Sequence, residues 1–209
     1  MSAEEMTIQT EKSREDKTTD AWFYLLYAVI WPFFNLFRPI KAVGRENIPD
    51  GPVVICPNHS SLGDPFFVAF AFGRRPMRAM AKIEVMRIPF VGWILGKAGV
   101  FGVDRDKADM KAVKTALKAL KDGNKLLLFP EGTRVKEGES VEPKSGAVYL
   151  AVRKQVPLVP IYVPRNKKLF RPVRVRVGEA YIPTADRNAD MTALTHELME
   201  RIEALGTEK

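Results

Sequence analysis

His59 and Asp64 lie five residues apart in the run Asn58-His59-Ser60-Ser61-Leu62-Gly63-Asp64-Pro65. Imidazole is the side chain best matched to moving a proton near neutral pH. A carboxylate bonded to Nδ1–H fixes the tautomer and leaves Nε2 as base, the logic of the triad without its serine. Further along comes Phe129-Pro130-Glu131-Gly132-Thr133-Arg134. There Gly132 lets backbone N–H groups approach an anion while Arg134 clamps its oxygens. A base beside a phosphate-binding turn suits the activation of a hydroxyl on a phosphorylated molecule. Each run also has a plainer reading. Asp64-Pro65 is a good helix start, with Asp64 as N-cap, and His59 is then a turn residue at a strand end. The Pro-Gly turn ends a strand, with Glu131 and Arg134 facing water. Capping and orienting are compatible for Asp64, since its carboxylate has two oxygens.

The elements around these runs alternate between strand and helix. Val53-Val54-Ile55-Cys56 is a short apolar run read as a buried strand. Asp64 to Phe72 reads as a helix, Arg78 to Lys82 as a strand, Pro89 to Lys97 as a short helix and Val100 to Val103 as a strand. Ala108 to Lys121 is amphipathic, with Met110, Val113, Leu117 and Leu120 on one face and Gly123 as its stop. Lys125 to Phe129 reads as a strand and Gly146 to Lys154 as a helix. Leu158 to Val163 and Val173 to Val177 read as strands, and Met191 to Leu205 marks a terminal helix. This βα alternation predicts an α/β fold with a mostly parallel central sheet flanked by helices. The two chemical runs then follow strand ends on one edge of that sheet, where open α/β sheets bind ligands.

The chain divides into an acidic tail over residues 1–20, a membrane-associating helical segment over 21–40 and a main domain over 41–209. The tail has six acids against three bases and no apolar face, and it reads as disordered. Residues 21–37 are the greasiest stretch. A spanning helix needs about 20 apolar residues; this run is slightly short and contains Pro32 and Asn35. Its aromatic residues, followed by Arg38 and Lys41, favour a segment lying in the headgroup region over one that spans or one that packs on the domain core. A signal peptide does not fit, because a long acidic segment precedes the run.

The 209 residues carry a net charge of +8 and are 46% hydrophobic, enough for one real core. A basic body attracts anionic partners. One cysteine, Cys56, excludes an internal disulfide and a multi-cysteine metal cluster, and two histidines exclude a multi-histidine zinc site. No metal site is expected. Cys56, Ser60 and Ser61 lie near His59 in sequence, but Cys56 belongs to an apolar strand, where an inert buried thiol is expected.

Together the two runs resemble the glycerophospholipid acyltransferase family, typified by lysophosphatidic acid acyltransferases. The first is similar to the family's Asn-His-x4-Asp motif and the second to its Phe-Pro-Glu-Gly-Thr-Arg motif. Gly99-Val100-Phe101-Gly102-Val103-Asp104-Arg105 resembles the acceptor-binding motif, and Val156-Pro157-Leu158-Val159-Pro160-Ile161 the fourth, apolar one. Ala81-Lys82, ahead of Pro89-Phe90-Val91-Gly92-Trp93, is similar to a segment whose lysine supports phosphate binding. The resemblance covers roughly residues 40–180. It implies that His59 takes a proton from the free sn-2 hydroxyl of lysophosphatidic acid. The oxygen then attacks an acyl thioester, acyl-coenzyme A or acyl-carrier protein, and phosphatidic acid results. Asp64 orients His59, while Arg105, Glu131, Gly132, Thr133, Arg134 and Lys82 form the phosphate site. No cofactor is implied beyond the thioester co-substrate.

The implied partners are the lysophospholipid, the thioester donor and an anionic membrane surface, with no nucleic acid. The implied location is a peripheral or monotopic membrane protein with its domain on the cytoplasmic face. Glycerol 3-phosphate or another lysophospholipid is an alternative acceptor. A catalytically silent lipid-binding module is the alternative of another class; the intact His59–Asp64 pair argues against it.

Overall fold

The structure is a computed structural model that describes residues 3–105, 107–184 and 190–207, with side chains from residue 15 onward. Seven strands form one sheet: β1 (Ile40–Val43), β2 (Val53–Pro57), β3 (Met77–Lys82), β4 (Val100–Val103), β5 (Lys125–Leu127), β6 (Leu158–Tyr162) and β7 (Val173–Val177). Their order is β1-β7-β6-β2-β5-β3-β4, and every pairing is parallel except β6 with β7. The α/β expectation therefore holds.

The strands alternate their side chains between two cores, as a pleated strand must. Val53 and Ile55 of β2 join a cluster with Phe67, Val68 and Phe72 of α2 (Asp64–Phe72). Val54 and Cys56 face the other way. They meet Ala116 and Leu120 of α5 (Met110–Lys121), Ala147 and Val148 of α6 (Gly146–Lys154), and Leu198 and Ile202 of α7 (Met191–Thr207). Because β2 is covered on both faces, it reads as a continuous apolar run.

Several boundaries differ from expectation. The strand read as Lys125–Phe129 closes at Leu127, after which Leu128 N–H still bonds Ile55 O at 3.0 Å. Helix α5 starts at Met110 because Asp109 caps it, accepting from the Lys111 and Ala112 amides. The segment from Pro89 begins with a tight turn, so α4 covers only Val91–Lys97, and a separate short helix α3 (Ile83–Arg87) precedes it. Strand β1 had no readable signal; it is an edge strand of four residues with an alternating exposed pattern.

The largest difference is at the N-terminus. Helix α1 runs Ala3–Phe37, so residues 3–20, read as a disordered tail, are helical. Their glutamates and lysines are good helix formers. Two of their acids also have partners: Asp16 and Asp20 each bond the buried Arg78 guanidinium at 2.9 Å. At its other end α1 is held by Phe170 N–H on Phe37 O at 2.7 Å. Between these ties Phe34 packs against Phe66, Phe67 and Phe70, and Tyr27 meets Phe70 at 5.1 Å between centroids. Residues Glu15–Phe37 are long and apolar enough to cross a membrane. Between Asp16 and Phe37, however, the helix is held against the domain at these points.

Phe34→Ala is expected to lower the unfolding free energy in urea by about 2 kcal/mol, a part-buried aromatic losing less than a core one. Phe33→Ala, whose ring is exposed, should cost under about 1 kcal/mol.

Candidate active site

Five loops converge on the carboxyl edge of the sheet, because β2, β3, β4, β5 and β6 all run the same way. The loop after β2 carries His59 and Asp64. Asn58 starts it and is fully buried. Its side chain prolongs the β2–β6 ladder, donating to Val163 O at 2.9 Å and accepting from Val163 N–H at 2.7 Å. The amide thus replaces the next pair of strand bonds while the chain turns away, which fixes where His59 emerges.

His59 Nδ1 lies 3.0 Å from Asp64 Oδ2. An ionised carboxylate can only accept, so Nδ1 carries the proton and Nε2 is the open acceptor. The imidazole is further held by stacking on Phe129, 4.1 Å between centroids. Asp64 is not the expected N-cap. Gly63 occupies that position and Asp64 is the first helical residue. Its carboxylate turns back toward the loop: Oδ2 also accepts from the Ser60 and Ser61 amides at 2.6 and 2.7 Å, and Oδ1 accepts from Ser61 Oγ at 2.7 Å.

Lys167, which the sequence reading missed, completes this set. It follows β6 and places Nζ 2.8 Å from Asp64 Oδ1 and 2.8 Å from Ser60 Oγ. Both charged side chains are out of water, at 3% exposure for Lys167 and 0% for Asp64. Burial alone pushes the Asp64 carboxyl up. The bonds from His59, Lys167 and the Ser60 amide outweigh it and hold Asp64 well below the usual carboxylate range. Nothing in the local sequence marks Lys167, because its contact spans 103 positions of chain.

The Phe129–Arg134 loop docks on the same turn. Glu131 is buried, and its side chain accepts from the His59 backbone N–H and from Arg165 Nη2, the latter at 2.7 Å. Burial raises the Glu131 carboxyl, against the lowering effect of Arg165 and the His59 amide. Glu131 was expected to contact phosphate; it instead ties the two loops together. Arg165, also missed, adds a bond from Nη1 to Val135 O at 2.8 Å. Val135 N–H in turn bonds His59 O at 2.8 Å, which sets Arg134 one residue from the His59 contact.

The remaining predicted residues gather at this edge. Gly132 has φ +65, and a Cβ there would meet Lys144 Cγ at 3.1 Å. Thr133 and Arg134 are exposed. Arg105, beyond β4, donates from Nη1 to Gly132 O. Lys82 ends β3 beside Val103, the last residue of β4, and pairs loosely with Glu84 at 3.4 Å. Glu84 in turn acts electrostatically on Arg105. Lys82, Arg105 and the Gly132 turn are therefore neighbours, and the loop pairing links them to His59. Cys56 is buried, and desolvation pushes its thiol far up, so it carries no nucleophilic thiolate. Ser60 and Ser61 are engaged with Lys167 and Asp64. Among the described residues no group of three His, Cys, Asp or Glu side chains is placed to hold a metal ion.

Lys167→Met should destabilise the fold by about 3–5 kcal/mol at neutral pH, since it leaves a buried carboxylate short of its partner. The sign of the pH dependence follows from the depressed Asp64 value. A carboxyl held below its unfolded value contributes stability that is fully present above about pH 4 and fades as pH falls toward the folded value. The deficit of Lys167→Met should therefore shrink on acidification below about pH 4, as read by urea midpoints across pH. A deficit independent of pH would mean that packing, not charge, is what Lys167 supplies.

A model of the Acyltransferase family matches residues 39–164, which contain all of the loops above except the start of the β6–β7 connection beyond Pro164. The chain is 31% identical over 177 residues to a 1-acyl-sn-glycerol-3-phosphate acyltransferase of Bacillus subtilis, covering 78% of this chain and 88% of the relative. It is 35% identical over 121 residues to the protein of that name in Pseudomonas aeruginosa, covering 56% of this chain and 46% of the relative. In structure it is similar to the 1-acyl-sn-glycerophosphate acyltransferase PlsC of Thermotoga maritima. The TM-score is 0.62 at 22% identity, over 100% of this chain and 85% of that one, a likeness of fold. The family model spans more than half of the sequence and the Bacillus relative matches nearly end to end, so the chain belongs to the acyltransferase family of enzymes.

Proposed function

We propose that the protein transfers a fatty acyl group from an acyl thioester to the free sn-2 hydroxyl of lysophosphatidic acid, giving phosphatidic acid by His59–Asp64 general-base catalysis. The observation that carries this reading is the His59 Nδ1 to Asp64 Oδ2 contact of 3.0 Å, which leaves Nε2 as the open acceptor beside a cationic loop. The hydroxyl proton passes to Nε2 as the oxygen attacks the thioester carbonyl. A C–O bond forms, the C–S bond breaks, and the departing thiolate takes a proton from the imidazolium. Asp64 steadies the transient cation, and Lys167 and the serine amides keep the carboxylate in place for it. General-base help of this kind is typically worth ~10²–10⁴-fold. Holding two substrates together supplies much of the rest, since a thioester is already activated.

Arg105, Arg134 and Lys82 are the cations suited to the acceptor phosphate. The relatives' names support lysophosphatidic acid as acceptor. The donor is an acyl-coenzyme A or an acyl-carrier protein, and no further cofactor is required. The enzyme is proposed to sit peripherally on the cytoplasmic membrane face, its acceptor being a bilayer lipid. Helix α1, apolar and uncharged over residues 21–37, supports this.

His59→Ala should lose acyl transfer by a factor of at least about 100 while keeping a cooperative unfolding transition; near-normal turnover would remove His59 as the base. Arg134→Ala should raise the acceptor KM, and an unchanged KM would take Arg134 out of the phosphate site. The substrate assignment itself is tested with purified protein in detergent. Lysophosphatidic acid and glycerol 3-phosphate are offered against each thioester, with released thiol as the readout. Preference for glycerol 3-phosphate would replace the acceptor named here.

A further inference from the structure

Lys144 stands just before α6, outside both chemical runs. The fold nevertheless brings it onto the Phe129–Arg134 turn. Its backbone N–H bonds Pro130 O at 2.7 Å. Its side-chain stem crosses Gly132, where an added Cβ would meet Lys144 Cγ at 3.1 Å and Cε at 3.9 Å. The ammonium is one bond beyond Cε, so its charge stays at the turn. Pro143 precedes Lys144, and its fixed φ narrows the directions from which the chain can reach this position.

Two cations therefore reach the same glycine. Arg105 Nη1 donates to Gly132 O, and the Lys144 stem packs where a Gly132 side chain would be. Lys82 is linked to this pair through Glu84, which pairs with Lys82 at 3.4 Å and acts electrostatically on Arg105. Glu84 thus offsets one of those two charges. Lys144 has no such offset: among the described residues no carboxylate pairs with it. The acids nearest to it in sequence are engaged elsewhere. Glu142 bonds His196 at 3.1 Å, and Glu139 Oε2 accepts from the Lys136 amide at 3.0 Å. The first turn of α6 carries no acid, and a Cβ at Gly146 would touch nothing within 4 Å, so the space beside Lys144 is open.

Charge count decides which anion gains from this cation. A phosphate monoester carries about −1.5 to −2 at neutral pH, whereas a phosphodiester carries a single negative charge. Coulomb attraction scales with charge, so an extra unpaired cation favours the monoester.

We propose that Lys144 is a specificity-determining residue of the acceptor site: with Arg105 on the same glycine, it holds the second negative charge of a phosphate monoester and sets that group apart from a phosphodiester. The acceptor is then selected by the charge of its phosphate. This rests on the lysophosphatidic acid reading and deepens it, naming the residue that disfavours lysolipids whose phosphate bears a further headgroup.

The test compares two inert ligands that differ in this charge. One is a 2-deoxy lysophosphatidic acid, which lacks the reacting hydroxyl; the other is its methyl phosphodiester. Their dissociation constants are measured by titration calorimetry with the full chain in non-ionic detergent. The buffer is held at about pH 8, where the monoester is doubly ionised. Wild type should prefer the monoester by more than about tenfold. Lys144→Gln keeps a stem across Gly132 and removes the charge. It should cut that preference about tenfold, the low end for a charge-assisted bond, and leave diester binding nearly unchanged. Lys144→Arg should retain the preference. Lys114→Gln, at an exposed lysine of α5, should behave as wild type. All three variants should keep the wild-type unfolding temperature. In turnover, Lys144→Gln should raise the KM for lysophosphatidic acid and leave the thioester KM alone.

A monoester preference unchanged in Lys144→Gln would overturn the inference. Equal losses for both ligands, or a lowered unfolding temperature, would also overturn it by making Lys144 a support of the Gly132 turn. The same loss in Lys114→Gln would reduce the effect to net charge. A raised thioester KM with an unchanged acceptor KM would assign Lys144 to the donor's phosphate instead. Each of these outcomes leaves wild-type turnover of lysophosphatidic acid intact. If the acceptor reading itself fails, wild type binds neither ligand and turns over no lysophosphatidic acid, and Lys144 then has no acceptor to select.

Discussion

A fully buried carboxylate must be matched by donors, and the active-site edge of this protein is organised around doing so for Asp64. Removing such a charge from water costs several kcal/mol unless its oxygens are satisfied. Two backbone amides, one hydroxyl, one imidazole and one ammonium supply the bonds. Four of the five come from the six-residue loop itself. The fifth, Lys167, arrives from the connection after β6. That is possible only because β6 is the hydrogen-bonded neighbour of β2 and runs parallel to it. Asn58 makes the arrangement repeatable by welding the first residue of the loop to Val163. The position and tautomer of the His59 imidazole are thus defined by a chain of constraints that begins in the sheet.

A second buried carboxylate joins the His59 loop to the Phe129–Arg134 turn. Glu131 bonds both the His59 amide and Arg165, so the Phe129–Arg134 loop cannot shift without disturbing His59. Arg134, Lys82 and Arg105 remain exposed, and they are the cations of the proposed acceptor site. Within this one short motif Glu131 is buried and bonded while Arg134 faces solvent.

The N-terminal helix shows how packing alters the meaning of a hydrophobic run. Its length and composition are those of a membrane span, but one aromatic stripe packs on α2 and the core, and the helix is tied to the domain at Asp16, Asp20 and Phe37. What is left is a narrower exposed stripe lying parallel to the surface of the domain. The domain-facing stripe, through Phe34, adjoins the loop that holds His59.

The sequence by itself determined the elements and their chemistry. Continuous apolar runs mark β2 and β6, and stripes at helical period mark α5 and α7, because those patterns are local consequences of burial. The two motifs mark His59–Asp64 and the Phe129–Arg134 turn as the candidate site, because the proposed chemistry requires those residue types at short spacing. Only the tertiary structure decided the partners that lie far apart in the chain: Lys167 on Asp64, Arg165 on Glu131, and Arg78 on Asp16 and Asp20. A lysine or arginine looks the same in sequence whether it faces water or a buried carboxylate. For the same reason Asp64 reads as a helix cap and Glu131 as a ligand contact until the fold shows where their oxygens point. Edge strand β1 and the helical start of α1 were also out of reach, since both depend on neighbours rather than on their own pattern.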